Sequence, residues 1–194
     1  MKTKRTTPKH EATHERIVSA ASRAIRRNGY AGAGVADIMK EAGLTHGGFY
    51  SHFSSREALL AEAADCAGGE SVALFTRISA AKPSKEALRT LVETYLSKEH
   101  VEAVETGCAV AALGSETPRQ ASEVRHALTC RTKEFIDLIS RQFPDWGKPA
   151  AHERATVMVA TLVGALIIAR AVNDPKFSEA VRVAALKHLT SANP

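Results

Sequence analysis

The segment from Val35 to Phe53 leaves little freedom in how this chain begins to fold. Val35-Ala36-Asp37-Ile38-Met39-Lys40-Glu41-Ala42 has the apolar spacing of a short amphipathic helix, and Gly43 supplies the backbone freedom on which helices end. Leu44-Thr45-His46-Gly47-Gly48-Phe49-Tyr50-Ser51-His52-Phe53 follows at once as a tight turn and a second short helix. Helix, glycine stop, turn and short helix form the outline of a helix-turn-helix.

Charge falls on the same part of the chain. Residues 1–60 carry ten Lys/Arg against five Asp/Glu, so the whole formal excess of +5 lies there and the remainder is neutral. Four of the eight histidines (His10, His14, His46, His52) lie there too. A basic face beside a recognition element is the footprint of phosphate contact, so double-stranded DNA is the expected partner.

The rest of the chain predicts an all-α fold. It is 44% hydrophobic and 5% aromatic over 194 residues, with no strict period-2 alternation and no hairpin signal. A first helix is expected over Lys9–Asn28, stopped by Gly29, with Arg26 and Arg27 as its solvated basic end. Ser54-Ser55-Arg56-Glu57 reads as a capping box built on Ser54 and Glu57, opening a helix that runs past Gly68-Gly69. Further helices are expected from Ser84, around Thr106–Gly114, after Pro118, over 151–172 and over 175–189, about nine in all. The expected division is a three-helix helix-turn-helix domain (1–53) and a larger helical effector-binding and dimerisation domain (54–194).

Several classes of protein fit poorly. Met1–Pro8 lacks the apolar stretch of a secretory signal, and the longest apolar run, Val157–Ala169, reads as a buried helix too short to span a bilayer. Three widely spaced cysteines (Cys66, Cys108, Cys130) form neither a disulfide framework nor a zinc pattern. A cytoplasmic protein without metal, cofactor or membrane partner is expected. His10-Glu11-Ala12-Thr13-His14 matches the H-E-x-x-H pattern of zinc proteases. It has only nine residues before it, no strand to form a cleft and no evident third ligand, so an enzyme is not expected. A helical architectural protein that binds DNA without sequence preference is a further alternative.

Taken together, Asp37–Thr45, Phe49-Tyr50-Ser51-His52-Phe53 and the helix start Arg56-Glu57-Ala58-Leu59-Leu60 resemble the TetR/AcrR family of transcriptional regulators. The form Gly43-Leu44-Thr45-His46-Gly47-Gly48-Phe49-Tyr50, together with Gly107-Cys108 before a short apolar helix, resembles one branch of that family. Gly34 departs from the Ser/Thr usual at the start of the second helix, which weakens that cap by a few tenths of a kcal/mol. The resemblance implies a homodimer that binds a palindromic operator, most simply as a repressor, and releases it when a small molecule or electrophile acts on the larger domain.

On that reading Thr45 caps the recognition helix and touches phosphate, while His46 is the first side chain directed at the groove. Tyr50, His52 and Arg56 donate to phosphates, and Lys4 and Arg5 belong to a basic arm. Gly47 and Gly48 cost roughly 1 kcal/mol each inside a helix. They are explained either by close approach to DNA or by tight packing on the first helix. Val159, Leu162, Val163, Leu166 and Ile167, with Val181 and Ala185 on the last helix, are the expected dimer surface. Phe75, Tyr95, Phe135 and Trp146 are candidate pocket residues. Cys108 is the candidate sensor, because a thiol at a helix N-terminus is pushed toward thiolate; a buried, inert thiol is the alternative.

Overall fold

The computed structural model describes residues 7–81 and 83–191, and every regular element among them is helical. The α-helices are α1 (Pro8–Gly32), α2 (Val35–Glu41), α3 (Arg56–Ala80), α4 (Ser84–Tyr95), α5 (Lys98–Glu102), α6 (Ala109–Leu113), α7 (Ser122–Ser140), α8 (Pro149–Ala171) and α9 (Pro175–Ser191). Two 3₁₀ segments, His46–Ser51 and Thr117–Arg119, lie between them. Lys4 and Arg5 lie outside the described residues.

Two cores share the long helices. The first gathers Ile17, Ile25 and Tyr30 of α1, Ile38 and Met39 of α2, Phe49 and Phe53, Leu59 and Leu60 of α3, Leu113 of α6, and Val124 and Leu128 of α7. It runs unbroken across residue 53, because the first turns of α3 form one of its walls. The second collects Phe75, Leu91, Tyr95, Phe135, Ile139, Leu162 and Leu166 from α3, α4, α7 and α8. α3 and α7 thus span both cores, and α6 reaches from the second to the first.

The end of α1 differs from a solvated terminus. Gly29 adopts φ +72° with ψ 173°, a backbone region open to glycine, and the chain turns there into Tyr30, which is fully buried. The Tyr30 N–H donates to Oε2 of Glu116 at 3.0 Å. The Arg56 guanidinium donates to the Tyr30 carbonyl and, at 3.4 Å, to that of Ala33. Arg26, expected on the surface, is buried: its guanidinium donates to the Ala67 carbonyl and pairs with Glu70 of α3. Hydrophobic spacing alone misplaced it, because a paired arginine satisfies an interior position that polarity argues against. Arg27 pairs with Glu41 at 3.1 Å and Glu105 at 2.9 Å.

Two further expectations need correction. The cap of α3 is Ser55, whose hydroxyl accepts from the Ala58 N–H at 3.1 Å, one residue later than the pattern suggested. The apolar run 157–169 lies inside a 23-residue helix that is long and apolar enough to cross a membrane by length and composition. Its inner face nevertheless packs in the second core.

Replacing Gly29 with alanine is expected to be costly for two reasons that act together. The positive-φ, extended backbone at Gly29 (ψ 173°) is a region that costs an L-residue about 1–3 kcal/mol, and a Cβ there would lie 2.3 Å from the Glu116 carboxylate. The expected outcome for Gly29→Ala is a melting temperature lowered by at least about 2–4 °C per kcal/mol lost, read by circular dichroism.

Candidate nucleic-acid interface and sensing core

α2 ends in a Schellman arrangement. The Leu44 N–H donates to the Met39 carbonyl at 2.8 Å, the Gly43 N–H donates to that of Lys40 at 2.9 Å, and Gly43 has φ +70°. The turn delivers Thr45 in an extended conformation, followed by the tight segment His46–Ser51. This segment is 3₁₀ rather than α-helical, consistent with Gly47-Gly48 being poor at propagating an α-helix. Phe49 anchors it in the first core and stacks on Phe53, with ring centroids 5.6 Å apart.

The outward face carries Thr45, His46, Gly47 and Tyr50, with Tyr50 73% exposed. Thr45 occupies the cap position, but its hydroxyl makes no cap bond, so it does not perform the capping role expected of it. A Cβ on Gly47 would meet nothing within 4 Å, and one on Gly48 would meet only the Met39 methyl at 3.6 Å, an ordinary contact. Packing on the first helix therefore does not require either glycine.

Two residues expected at phosphates are committed elsewhere. Arg56 is the clamp on the α1–α2 corner described above. His52 is turned onto His10, with ring centroids 4.1 Å apart, and lies 5.9 Å from the His14 ring. Its Nδ1 is buried without a partner. Burial, with His10 and His14 beside it, holds its pKa below the ordinary histidine value. His14 Nε2–H donates to the Glu62 carboxylate at 2.6 Å, and His10 lies 3.2 Å from the Ser51 carbonyl. The H-E-x-x-H histidines thus brace the recognition segment against α1 and α3, and no group of three metal-ligating side chains meets among the described residues.

The candidate sensing residues divide. Phe75, Tyr95 and Phe135 do meet, with centroids 5.3–5.9 Å apart, but they fill the second core rather than line an open cavity. Trp146 is 61% exposed and sits under Arg141, so it is not part of that cluster. Cys108 is buried at the cap position of α6. Five residues make too short a helix for a strong terminal field, which removes much of the case for an activated thiol.

Around Cys108 lies a polar hub that the sequence did not announce. His100 is buried, and its Nδ1–H donates to the Tyr95 carbonyl at 2.6 Å. Its Nε2 accepts the Cys108 N–H at 3.1 Å, which fixes the neutral tautomer, and burial lowers its pKa. Arg170 of α8 donates to the carbonyls of His100 at 2.7 Å and Val101 at 3.1 Å. A Cβ on Gly107 would lie 2.6 Å from the Ala103 carbonyl and 2.8 Å from Arg170, so only glycine fits there. The Tyr95 hydroxyl and Arg170 Nη1 are buried without partners.

The expected dimer residues also divide. Val159, Leu162 and Leu166 face the chain's own core, and Val163, Val181 and Ala185 are half-buried. Ile167 is exposed, and it belongs to a stripe on the outer face of α8 formed by Val157, Ala160, Gly164, Ile167 and Ile168. A Cβ on Gly164 meets nothing within 4 Å.

Comparison with known proteins bears on the fold and the family. Residues 17–63 match the model of the tetR family of bacterial regulatory proteins, and residues 84–182 match the C-terminal domain of LmrA/YxaF-like transcriptional regulators. The chain is 29% identical to an uncharacterized HTH-type transcriptional regulator, Rv0196 of Mycobacterium tuberculosis, over 84% of its own length and 87% of the relative's. It is 27% identical to the HTH-type transcriptional regulator LmrA of Bacillus subtilis, over 80% and 85%. Among solved structures, the reduced form of E. coli NemR shares the fold with a TM-score of 0.78 at 19% identity, covering 94% of this chain and 98% of that one. A TetR-family regulator from Cytophaga hutchinsonii does so with 0.79 at 20% identity, covering 97% and 98%.

Two outcomes follow from the geometry. Gly47→Ala meets open space and gains helix propensity, so it should leave the melting temperature unchanged or slightly raised. If the backbone approaches DNA there, the same variant should weaken specific DNA binding at least about tenfold, near 1.4 kcal/mol, measured by fluorescence anisotropy. The second outcome concerns pH. His52 and His100 have lowered pKa values in the folded chain, so below about pH 6.5 the unfolded chain binds protons that the folded chain refuses. Stability should be flat above pH 7 and fall as the pH drops toward 5, and His52→Gln should make that fall shallower.

Proposed function

We propose that this chain, which belongs to the TetR family of bacterial regulatory proteins, is a homodimeric cytoplasmic repressor that leaves a palindromic operator when an effector acts on its helical domain. It is a DNA-binding transcriptional regulator of the helix-turn-helix type, and its relatives are regulators rather than enzymes. The observation that carries the finer reading is the recognition segment: Thr45, His46, Gly47 and Tyr50 are exposed on a tight turn whose glycines no internal contact requires. Thr45 and Tyr50 then hold phosphates, His46 reads base edges, and the glycines, Gly48 included, let the backbone close on the groove. Lys4 and Arg5 add salt-sensitive affinity.

The outer stripe of α8 supports the dimer. Val157 is 64% and Ile168 46% exposed, and a contiguous apolar stripe of this kind is what a partner helix covers. Gly164 lets that helix approach closely. A two-fold pair sets two recognition segments about 34–36 Å apart and so demands a palindromic site.

Effector action is assigned to the hub around Cys108. α6 starts at this thiol, and beyond its end Glu116 holds Tyr30 at the corner of the DNA-binding unit. An electrophile that adds to the Cys108 sulfur enlarges a filled site and displaces α6. Because the thiol is buried, the reaction waits on local opening.

Operator binding tests the reading directly. Purified protein is expected to bind the intergenic DNA beside its own gene against excess competitor. Treatment with an electrophile should release it, Cys108→Ser should resist release, and the exposed-thiol control Cys130→Ser should not. Binding without sequence preference would instead favour the architectural alternative. Gly164→Glu places a charge on the open face without touching the core. It should convert a particle of about twice 20.8 kDa to one of 20.8 kDa in light scattering, with operator affinity lost and helix content kept.

A further inference from the structure

The recognition segment cannot hold its shape unaided. His46–Ser51 is a 3₁₀ turn through Gly47-Gly48, and neither 3₁₀ geometry nor paired glycines sustain a helix. Phe49 fixes the middle of the segment in the first core. Its far end, at Ser51 and His52, is attached differently. The attachment is made by the histidines of the H-E-x-x-H pattern, to which the reading above gives no functional role.

His10 supplies two contacts there. Its Nε2 lies 3.2 Å from the Ser51 carbonyl, and because a carbonyl only accepts, that nitrogen carries the proton. Its ring also stacks on His52, with centroids 4.1 Å apart. His10 is itself fixed, since its backbone N–H donates to the Thr7 carbonyl at 2.8 Å in the capped first turn of α1. Inside the segment, the Ser51 hydroxyl donates to the Gly48 carbonyl at 2.6 Å. A short bonded path therefore runs from α1 through Ser51 to the glycine turn between His46 and Tyr50.

The same contacts respond to protons. Nδ1 of His52 is buried without a partner. In the neutral ring that nitrogen can be a bare lone pair, whereas in the imidazolium it is an N–H with no acceptor. The titratable groups that face His52 are His10 and His14 of α1, which take the same charge. The acid that α3 brings to the cluster, Glu62, is engaged by His14 at 2.6 Å. His46 and Tyr50 of the segment itself pair with each other, their rings 6.4 Å apart. A proton on His52 thus meets two further imidazoles and, among these groups, no free carboxylate.

We propose that His10 is a positioning residue for DNA recognition, and that His10 and His52 form a latch that holds the recognition segment while both rings are neutral and releases it when His52 takes a proton. The latch makes the operator complex acid-sensitive. Charge alone predicts the reverse, because a proton on the exposed His46 beside phosphates strengthens binding. The direction of the pH dependence therefore identifies which effect controls the segment. The consequence for the operator rests on the regulator reading above, whereas release of the segment by acid does not.

The test follows the full chain at about pH 7.5 and about pH 5.5, either side of the ordinary histidine value. Hydrogen exchange, corrected for the intrinsic pH dependence of amide exchange, should show residues 46–53 opening at least about tenfold more at the lower pH while α3 keeps its protection. His52→Phe keeps a ring on His10 but cannot titrate, so its segment should open equally at both. Fluorescence anisotropy with the intergenic DNA beside its own gene should show specific affinity falling on acidification while non-specific affinity holds or rises. His10→Gln, whose amide can still donate to the Ser51 carbonyl, should bind like the wild type at the higher pH. His10→Ala should bind about tenfold more weakly there, with helix content kept. Segment exchange that ignores pH in the wild type, or responds equally in His52→Phe, overturns the latch. Protection lost throughout the chain at the lower pH places the effect in global stability and also overturns it. Specific affinity unchanged in His10→Ala overturns the positioning role. Failure to select any operator at either pH counts against the regulator reading, and the exchange result still decides the latch.

Discussion

The corner between α1 and α2 is the constraint on which the arrangement of the whole molecule depends. At Gly29 the first helix must stop and turn, and the groups this exposes are then buried. The Tyr30 N–H is satisfied by Glu116, and the Tyr30 and Ala33 carbonyls are satisfied by Arg56. A buried donor or acceptor left unpaired costs about 1–3 kcal/mol, so the three contacts together decide where the corner can sit. Their partners come from two different places, the start of α3 and the segment after α6. The DNA-binding unit is therefore positioned by polar contacts from the larger bundle as well as by its own core. Arg26 and Arg27 extend the same linkage through Glu70, Glu41 and Glu105.

α8 shows the complementary constraint, in which nonpolar surface alone sets the outcome. Met158, Leu162 and Leu166 on one side are buried in the second core, while Val157, Gly164 and Ile168 on the other face outward. A helix apolar on both sides needs two partners, and within one chain only one is supplied. Arg170 near its end is polar for a different reason, since it closes the carbonyls of His100 and Val101. One helix therefore joins the proposed partner surface, the second core and the hub around Cys108.

How far the sequence reveals this depends on the kind of interaction. Helix stops at Gly29 and Gly43 were legible because a positive φ has few alternatives to glycine. The segment 35–53 was legible because its spacing and its stop agree. Ser55 rather than Ser54 as cap shows the limit of local pattern, since either serine offers the same hydroxyl and tertiary packing selects the register. The apolar residues of α8 were visible, but not which of them look inward: Val159 and Val157 are alike in sequence and opposite in placement. Arg26 is buried where its polarity argued for solvent, and Arg56 and His52 have internal partners that the sequence does not show, because a polar side chain reads as exposed until its partner is known. Those partners are 23 to 44 residues away, at Glu70, Tyr30, Ala33 and His10. The hub of His100, Arg170 and Tyr95 was invisible for the same reason.

The short length of α6 brings these points together. Five residues cannot hold a helix by themselves, so α6 persists through the burial of Ala109 and Leu113 in the first core and through what grips its ends. At one end His100 holds the Cys108 N–H. Beyond the other end, Glu116 holds Tyr30, and Thr117 returns its hydroxyl to the Leu113 carbonyl at 2.8 Å. Cys108 lies in the second core and Ala109 and Leu113 in the first, so α6 joins the two ends of this contact chain. On the effector reading proposed above, that contact chain is the route by which a change at the buried thiol would reach the corner that positions the recognition segment.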